Sequence, residues 1–248
     1  MTHTRAPYAT LAVLLAAVTA AATLAGCASR PHAAGSTPSA TPTPTSTGIA
    51  DRRAADIVMA AQINVALAGS VHVSGHIHTT TGKFVEYDFR IHGHDGMATR
   101  TTDGVLLTVI KSGDHMFIRG DRTYWTSVGG PRAAKIMNGR YLRVPADDQN
   151  YAMYLDYFNA GNLIAPTGTL TRGDVTMVNG FSVVPIVEAG PVNSTLYVAT
   201  RGTPLPLRIE TSDGNSRLDF LYGEAFEEDL VPSAAEVIDL TELQRQLG

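Results

Sequence analysis

Beyond Gly69 the chain is punctuated by turn dipeptides: Asp95-Gly96, Asp103-Gly104, Gly113-Asp114 and Gly120-Asp121 fall about 7 to 10 residues apart. Segments this short leave no room for the dozen or more residues that a parallel crossover requires. The expected sheet is therefore antiparallel. Its first hairpin is the clearest part. Val71, Val73 and Ile77 alternate with His72, Ser74, His76 and His78; after a turn, Val85, Tyr87, Phe89 and Ile91 alternate with Glu86, Asp88, Arg90 and His92. A period of two gives one apolar face and one wet face. Further strands are expected over 105–110, 115–119 and 124–128, and again over 170–178, 181–187, 195–199, 205–211 and 217–222. Asn179-Gly180 is the strongest two-residue hairpin signal in the chain.

Helices are few. One long helix is expected over 51–68, started by Asp51 and stopped at Gly69, with Met59, Ile63, Ala66 and Leu67 on one face. Shorter helices are expected over 131–137 and 150–163, the second sharing a face among Tyr154, Leu155 and Phe158. A sheet of about ten or eleven strands must twist and curl. Its apolar face is larger than these helices can cover. The expected fold class is therefore α+β: a curled antiparallel sheet, closed or half-open, with helices packed on the concave face over a hydrophobic cavity. Met59, Ile63, Leu67, Met137, Tyr154, Leu155 and Phe158 are the candidate lining residues.

The N-terminus has a different character. Arg5 is followed by an uncharged run from Ala6 to Gly26 that is rich in Ala, Leu and Val. That is the pattern of a secretory signal. The run ends in Leu24-Ala25-Gly26-Cys27, which resembles the lipobox of bacterial lipoproteins; the resemblance implies that the Cys27 thiol is acylated and inserts in membrane lipid. Each buried CH₂ contributes about 0.8 kcal/mol, and two chains hold where one does not. Residues 1–26 are thus expected as a lipoprotein signal peptide and 27–50 as a lipidated Cys with a Thr/Ser/Pro-rich tether. Residues 51–248 are the expected folded domain, held at the cell membrane on its extracytoplasmic face. Cys27 is the single Cys, so no disulfide framework and no Cys-rich zinc site is available.

The catalytic motifs searched for are not legible: neither a nucleophile elbow, a zincin helix, a phosphate loop nor a dinucleotide fingerprint. An enzyme is not expected, nor a cofactor. A net charge of −4 has the wrong sign for a nucleic-acid partner. Histidine is the unusual residue, with His72, His76, His78, His92 and His94 inside 23 residues. A register pairing His72 with His92, with His94 nearby, would put imidazoles on one face for zinc or copper. Strict alternation with apolar residues equally predicts a polar outer face, which is the preferred reading. Phe117, Tyr124 and Trp125 offer an aromatic rim or, as the blander reading, hairpin packing.

With these features in place, the chain resembles the actinobacterial LppX/LprA/LprF/LprG lipoproteins. The resemblance is carried by the lipobox at Cys27, the tether, the run Ala-Leu-Ala-Gly-Ser-Val-His-Val-Ser-Gly from Ala66 to Gly75, the strand Asp-Phe-Arg-Ile from Asp88 to Ile91, and the run from Met116 to Trp125 followed by Gly139-Arg140-Tyr141. It implies a half-barrel that encloses a hydrophobic cavity, an acylated apolar lipid as ligand, and an envelope transporter or acceptor protein as partner. Two alternatives stay open: an envelope interaction or assembly lipoprotein with a filled core, and a metal-binding lipoprotein using the histidine-rich hairpin.

Overall fold

Alternation dominates the described chain. The computed structural model describes residues 48–79, 81–224 and 230–248. The signal segment, Cys27 and most of the tether lie outside the described residues. Thirteen strands form one sheet: β1 (Ser70–His78), β2 (Phe84–His92), β3 (Asp95–Thr102), β4 (Val105–Ser112), β5 (His115–Gly120), β6 (Tyr141–Pro145), β7 (Thr169–Arg172), β8 (Thr176–Val178), β9 (Phe181–Ala189), β10 (Ser194–Ala199), β11 (Pro206–Thr211), β12 (Arg217–Tyr222) and β13 (Val237–Asp239). Their order is β13-β6-β5-β4-β3-β2-β1-β12-β11-β10-β9-β7, with β8 also paired to β9. The curled sheet does not close: β13 lies at one edge and β7 at the other. Every pairing is antiparallel except β13 with β6, which is parallel. That exception corrects the expectation of a wholly antiparallel sheet. The two strands are joined through residues 146–236, which carry β7 to β12, and not by a local crossover.

The turns do what their residues dictate. Asp103 and Gly104 both take positive φ, 52° and 78°, as do Asn179 and Gly180, 51° and 82°. These are the mirror-image turns that match the twist of a two-residue hairpin.

The expected long helix is shorter at its start. A 3₁₀ turn occupies Ile49–Asp51, and α1 spans Ala54–Ala66 with Arg53 at its N-cap. Its orientation also differs. Ile57, Val58, Ala61 and Val65 face the core, whereas Met59, Ile63 and Leu67 are 59%, 54% and 76% exposed. The sequence is apolar on both sides, so periodicity alone could not choose between them.

The strand expected over 124–128 is instead the opening of α2 (Arg122–Ile136). Asp121 caps it, its carboxylate accepting from the Tyr124 N–H at 2.7 Å. The helix breaks at Gly130, where φ is 78°, and restarts with Pro131. The expected helix over 150–163 is two 3₁₀ segments, Ala152–Phe158 and Asn162–Ile164. A C-terminal α3 (Leu240–Leu247) packs beside α2 and β6.

One core fills the concave side. Val73, Phe89, Val109, Met116, Ile118, Leu142, Val144, Ile186 and Phe220 from the strands meet Ile57, Ala61, Trp125, Met137, Tyr154 and Phe158 from the helical layer. A small satellite of Ile110, Phe117 and Tyr141 lies apart from it. Pro44–Gly248 forms one compact unit. It contains all the buried apolar residues described, so it carries the core it needs to fold by itself.

Candidate ligand site on the concave face

Register across the sheet places one row of residues side by side. Leu107 pairs with Arg100, Arg100 with Tyr87, Tyr87 with Gly75, Gly75 with Leu218, Leu218 with Ile209, Ile209 with Leu196, and Leu196 with Ile186. All the apolar and aromatic members belong to or pack against the main core, so the row crosses the concave face. Arg100 is its single charge. Gly75 is its gap. Gly75 is required by backbone approach: φ is 149°, and a Cβ there would lie 2.0 Å from the Arg217 carbonyl oxygen.

Beside Gly75 the row opens into an apolar cleft of about 300 Å³, walled by Ile77, Leu163, Val192, Ile209 and Leu218. Leu163 comes from the short 3₁₀ segment that roofs this end. A larger cleft of about 480 Å³ lies at the opposite ends of β1 to β4, and its lining is mixed, with Ser70, His92, Asp95, Lys111 and Glu224 beside Leu230.

On the other side of Gly75, aromatic rings are stacked through the layer. Tyr87 meets Phe89 at 5.1 Å, Phe89 stacks on Tyr157 at 5.1 Å, Tyr157 meets Tyr154 at 5.9 Å, and Tyr124 crosses Trp125 edge-on at 5.0 Å. The Tyr124 and Tyr154 hydroxyls are hydrogen-bonded at 2.7 Å. Arg100 projects among these rings and donates from Nη1 to the Tyr157 hydroxyl at 3.1 Å. Its Nε is buried without a partner, and so is the hydroxyl of Thr102, two residues along the same strand face. Burial pushes the Tyr87, Tyr124 and Tyr157 phenols above the ordinary tyrosine range, while the Arg100 charge pulls each the other way. Burial prevails, and all three remain protonated donors at neutral pH.

The expected lining residues are divided by the structure. Met137, Tyr154 and Phe158 are buried in the core, and Leu155 packs partly buried against it. Met59, Ile63 and Leu67 do not reach the concave interior and stand on the outer face of α1. Phe117 sits in the satellite cluster, away from Tyr124 and Trp125, so the three do not form a rim. The imidazoles are also separated. His72 pairs in register with Arg90, and His92 with Ser70. His72 lies between Glu224 at 3.0 Å and Asp88 at 3.3 Å. His76 and His78 pack on Phe84 at 5.3 and 5.2 Å. His94 lines a small cleft of about 120 Å³ with Val65, Ile91 and Phe158. Among the described residues no group of three or more His, Cys, Asp or Glu is placed to hold a metal ion.

Sequence reasoning missed Arg100, because β3 was not foreseen. The signal was parity: Ala98 and Arg100 fall on the same face of one strand, and that face meets Phe89 and Tyr87.

No protein-family model matches the chain, and no curated protein matches it. Among solved structures it is similar to LprF from Mycobacterium bovis, at 14% identity and a TM-score of 0.43, over 73% of this chain and 96% of that one. It is similar to the lipoprotein LppX of Mycobacterium tuberculosis, at 12% identity and a TM-score of 0.40, over 73% of this chain and 98% of that one. It is also similar to the MucA/MucB complex of Pseudomonas aeruginosa, at 14% identity and a TM-score of 0.37, over 74% of this chain and 62% of that one. LppX and LprF are thus both among the structures this chain is similar to, at a distance that carries no ligand or partner across. No helix among the described residues is long and apolar enough to cross a membrane.

Proposed function

We propose that this domain binds the acyl chain of a lipid on its concave face and carries it within the cell envelope. Acylated Cys27 would hold it to the extracytoplasmic side of the membrane, and residues 28–50 would be the tether. The carrying observation is the apolar cleft beside Gly75, in register with the apolar row of the sheet. Its volume of about 300 Å³ stands at the floor of the roughly 300–1,000 Å³ range of small-molecule sites. A single chain therefore suits it better than a multiply acylated lipid. Transfer from water contributes about 25 cal/mol for each Å² of chain surface buried, and no covalent step is needed.

Native mass spectrometry of residues 44–248, followed by organic extraction, tests the reading. A stoichiometric lipid is expected. An Ile209→Trp or Leu218→Trp variant, which fills the cleft, should lower fatty-acid affinity at least about tenfold. An empty protein that also refuses a fluorescent fatty acid would overturn it. The second reading, an interaction module with a filled core, draws on the full burial of Phe89, Met116, Ile118 and Met137 elsewhere in the interior. The same refusal would select it.

A further inference from the structure

Two half-buried cations of this fold are paired with carboxylates. Lys111, 15% exposed in its side chain, binds Asp95 at 2.8 Å. Arg208, 14% exposed, binds Asp219 at 2.8 Å. Arg100 departs from that pattern. Among the described residues no carboxylate lies within ion-pair distance of it. Its one hydrogen bond goes to a neutral phenol, and its Nε is sealed from water without an acceptor. A donor atom withdrawn from water in this way carries a desolvation penalty that no acceptor here offsets. The hydroxyl of Thr102 on the same strand face is likewise buried and unmatched. Two unsatisfied polar groups, the Arg100 Nε and the Thr102 hydroxyl, thus share one strand face, and the Arg100 guanidinium reaches the Tyr157 hydroxyl. A carboxylate or phosphate supplies the missing acceptors, and the planar fork of an arginine fits either one bidentately.

We infer that Arg100, with Tyr157 and Thr102, is a head site for the anionic group of an acylated ligand whose chain lies in the apolar cleft. This rests on the reading of that cleft as an acyl site. The geometry links the two. From Arg100 the row runs through Tyr87 and Gly75 to Leu218 in the cleft wall. Three inter-strand steps of about 4.8 Å separate the head site from the cleft, about 14 Å in all. Gly75, which carries no side chain onto the sheet face, is the step between Tyr87 and Leu218, and its backbone lies close against the Arg217 carbonyl. The ligand class that matches one apolar cleft with the Arg100 guanidinium farther along the same row is a single-chain acidic amphiphile, a fatty acid or a lysophospholipid.

The test is calorimetry on residues 44–248 with dodecanoic acid, its methyl ester, acetate and inorganic phosphate. The acid should bind at least about tenfold tighter than the ester, because only the acid completes the charge-assisted bonds. Arg100→Gln should remove that preference, weakening the acid about tenfold and leaving the ester within about twofold, while Arg100→Lys retains part of it. Circular dichroism of each variant checks its fold, and the acid-to-ester ratio of the unaltered protein stands independently of any substitution. Equal binding of acid and ester would overturn the head site and leave the cleft standing. Failure of both to bind would overturn the cleft reading and the head site together. Acetate or phosphate binding as tightly as dodecanoic acid would show a free-anion site and overturn the assignment to a lipid head.

Discussion

The hydroxyl oxygens of Tyr124 and Tyr154 lie 2.7 Å apart, and this one bond fastens α2 to the 3₁₀ segment that roofs the aromatic end of the concave face. Replacing either tyrosine by Phe leaves the other hydroxyl without its partner, at a cost of about 1–3 kcal/mol. Replacing both removes the orphan as well. A double-mutant cycle in urea should therefore show a pair costing clearly less than the sum of the singles. Additive values would mean that the bond does not hold the roof.

The orientation of α1 can be checked on its surface. Met59→Gln, Ile63→Gln and Leu67→Gln should each change stability by no more than about 0.5 kcal/mol, since exposed positions tolerate substitution. Val58→Gln, on the buried side, should cost at least about 2 kcal/mol. Reversed magnitudes in thermal or urea unfolding would turn the helix over.

Asp121 serves two backbone amides. Its carboxylate accepts from Tyr124 N–H at 2.7 Å, at the start of α2, and from Leu106 N–H at 3.1 Å, on β4. Asp121→Ala should lower stability by about 1–2 kcal/mol, and Asp121→Asn by less. Equal losses for the two replacements in chemical unfolding would show that the amides are not served by the side-chain oxygens.

Burial, and then the bond it donates to Glu210 at 2.7 Å, push the Tyr197 phenol up to about 12 from an ordinary 10.0. The folded state thus keeps a proton that the unfolded chain releases near pH 10. The contribution is intact below pH 10 and is lost as pH rises from there through about 12. Ultraviolet difference titration should show several late phenols, one of which moves earlier in Glu210→Gln. An unchanged titration in that variant would remove Glu210 as a cause.

The hairpin of β1 and β2 was readable because its apolar residues alternate, with one gap at Gly75, and its two faces differ in polarity. The Asn179-Gly180 turn was readable because only a few residue types accept two successive positive φ values. Elsewhere the local signal pointed the wrong way. Tyr124, Trp125, Thr126 and Val128 are a β-favouring set, yet the Asp121 cap and the burial of Trp125 make that segment helical. β3 is rich in threonine and carries Arg100 inward, so it lacks the apolar alternation that marked its neighbours. The face of α1 was ambiguous because apolar side chains surround it. Of the expected lining residues, Met137, Tyr154 and Phe158 are buried in the core and none walls the cleft, whose walls Ile77, Ile209 and Leu218 come from three separate strands that only register brings together.

Gly75→Ala should be disproportionately costly for so small a change. The added methyl would meet the Arg217 carbonyl at 2.0 Å in a backbone conformation that suits glycine. A loss of at least about 2 kcal/mol is expected, with weakened β1–β12 amide protection in hydrogen exchange. A neutral result would show that the strands can separate there at no cost.

The parallel contact between Val237–Asp239 and Tyr141–Arg143 has a kinetic corollary. Neighbouring hairpins can zip as soon as their turns form, but this rung joins residues almost a hundred positions apart and, like the still longer-range β1–β12 pairing, forms against a large loop-closure entropy. Until it does, the Tyr141–Pro145 strand presents bare amides and carbonyls along one side, a surface on which a second copy could template. The tail thereby acts as a molecular selvedge along that border of the sheet.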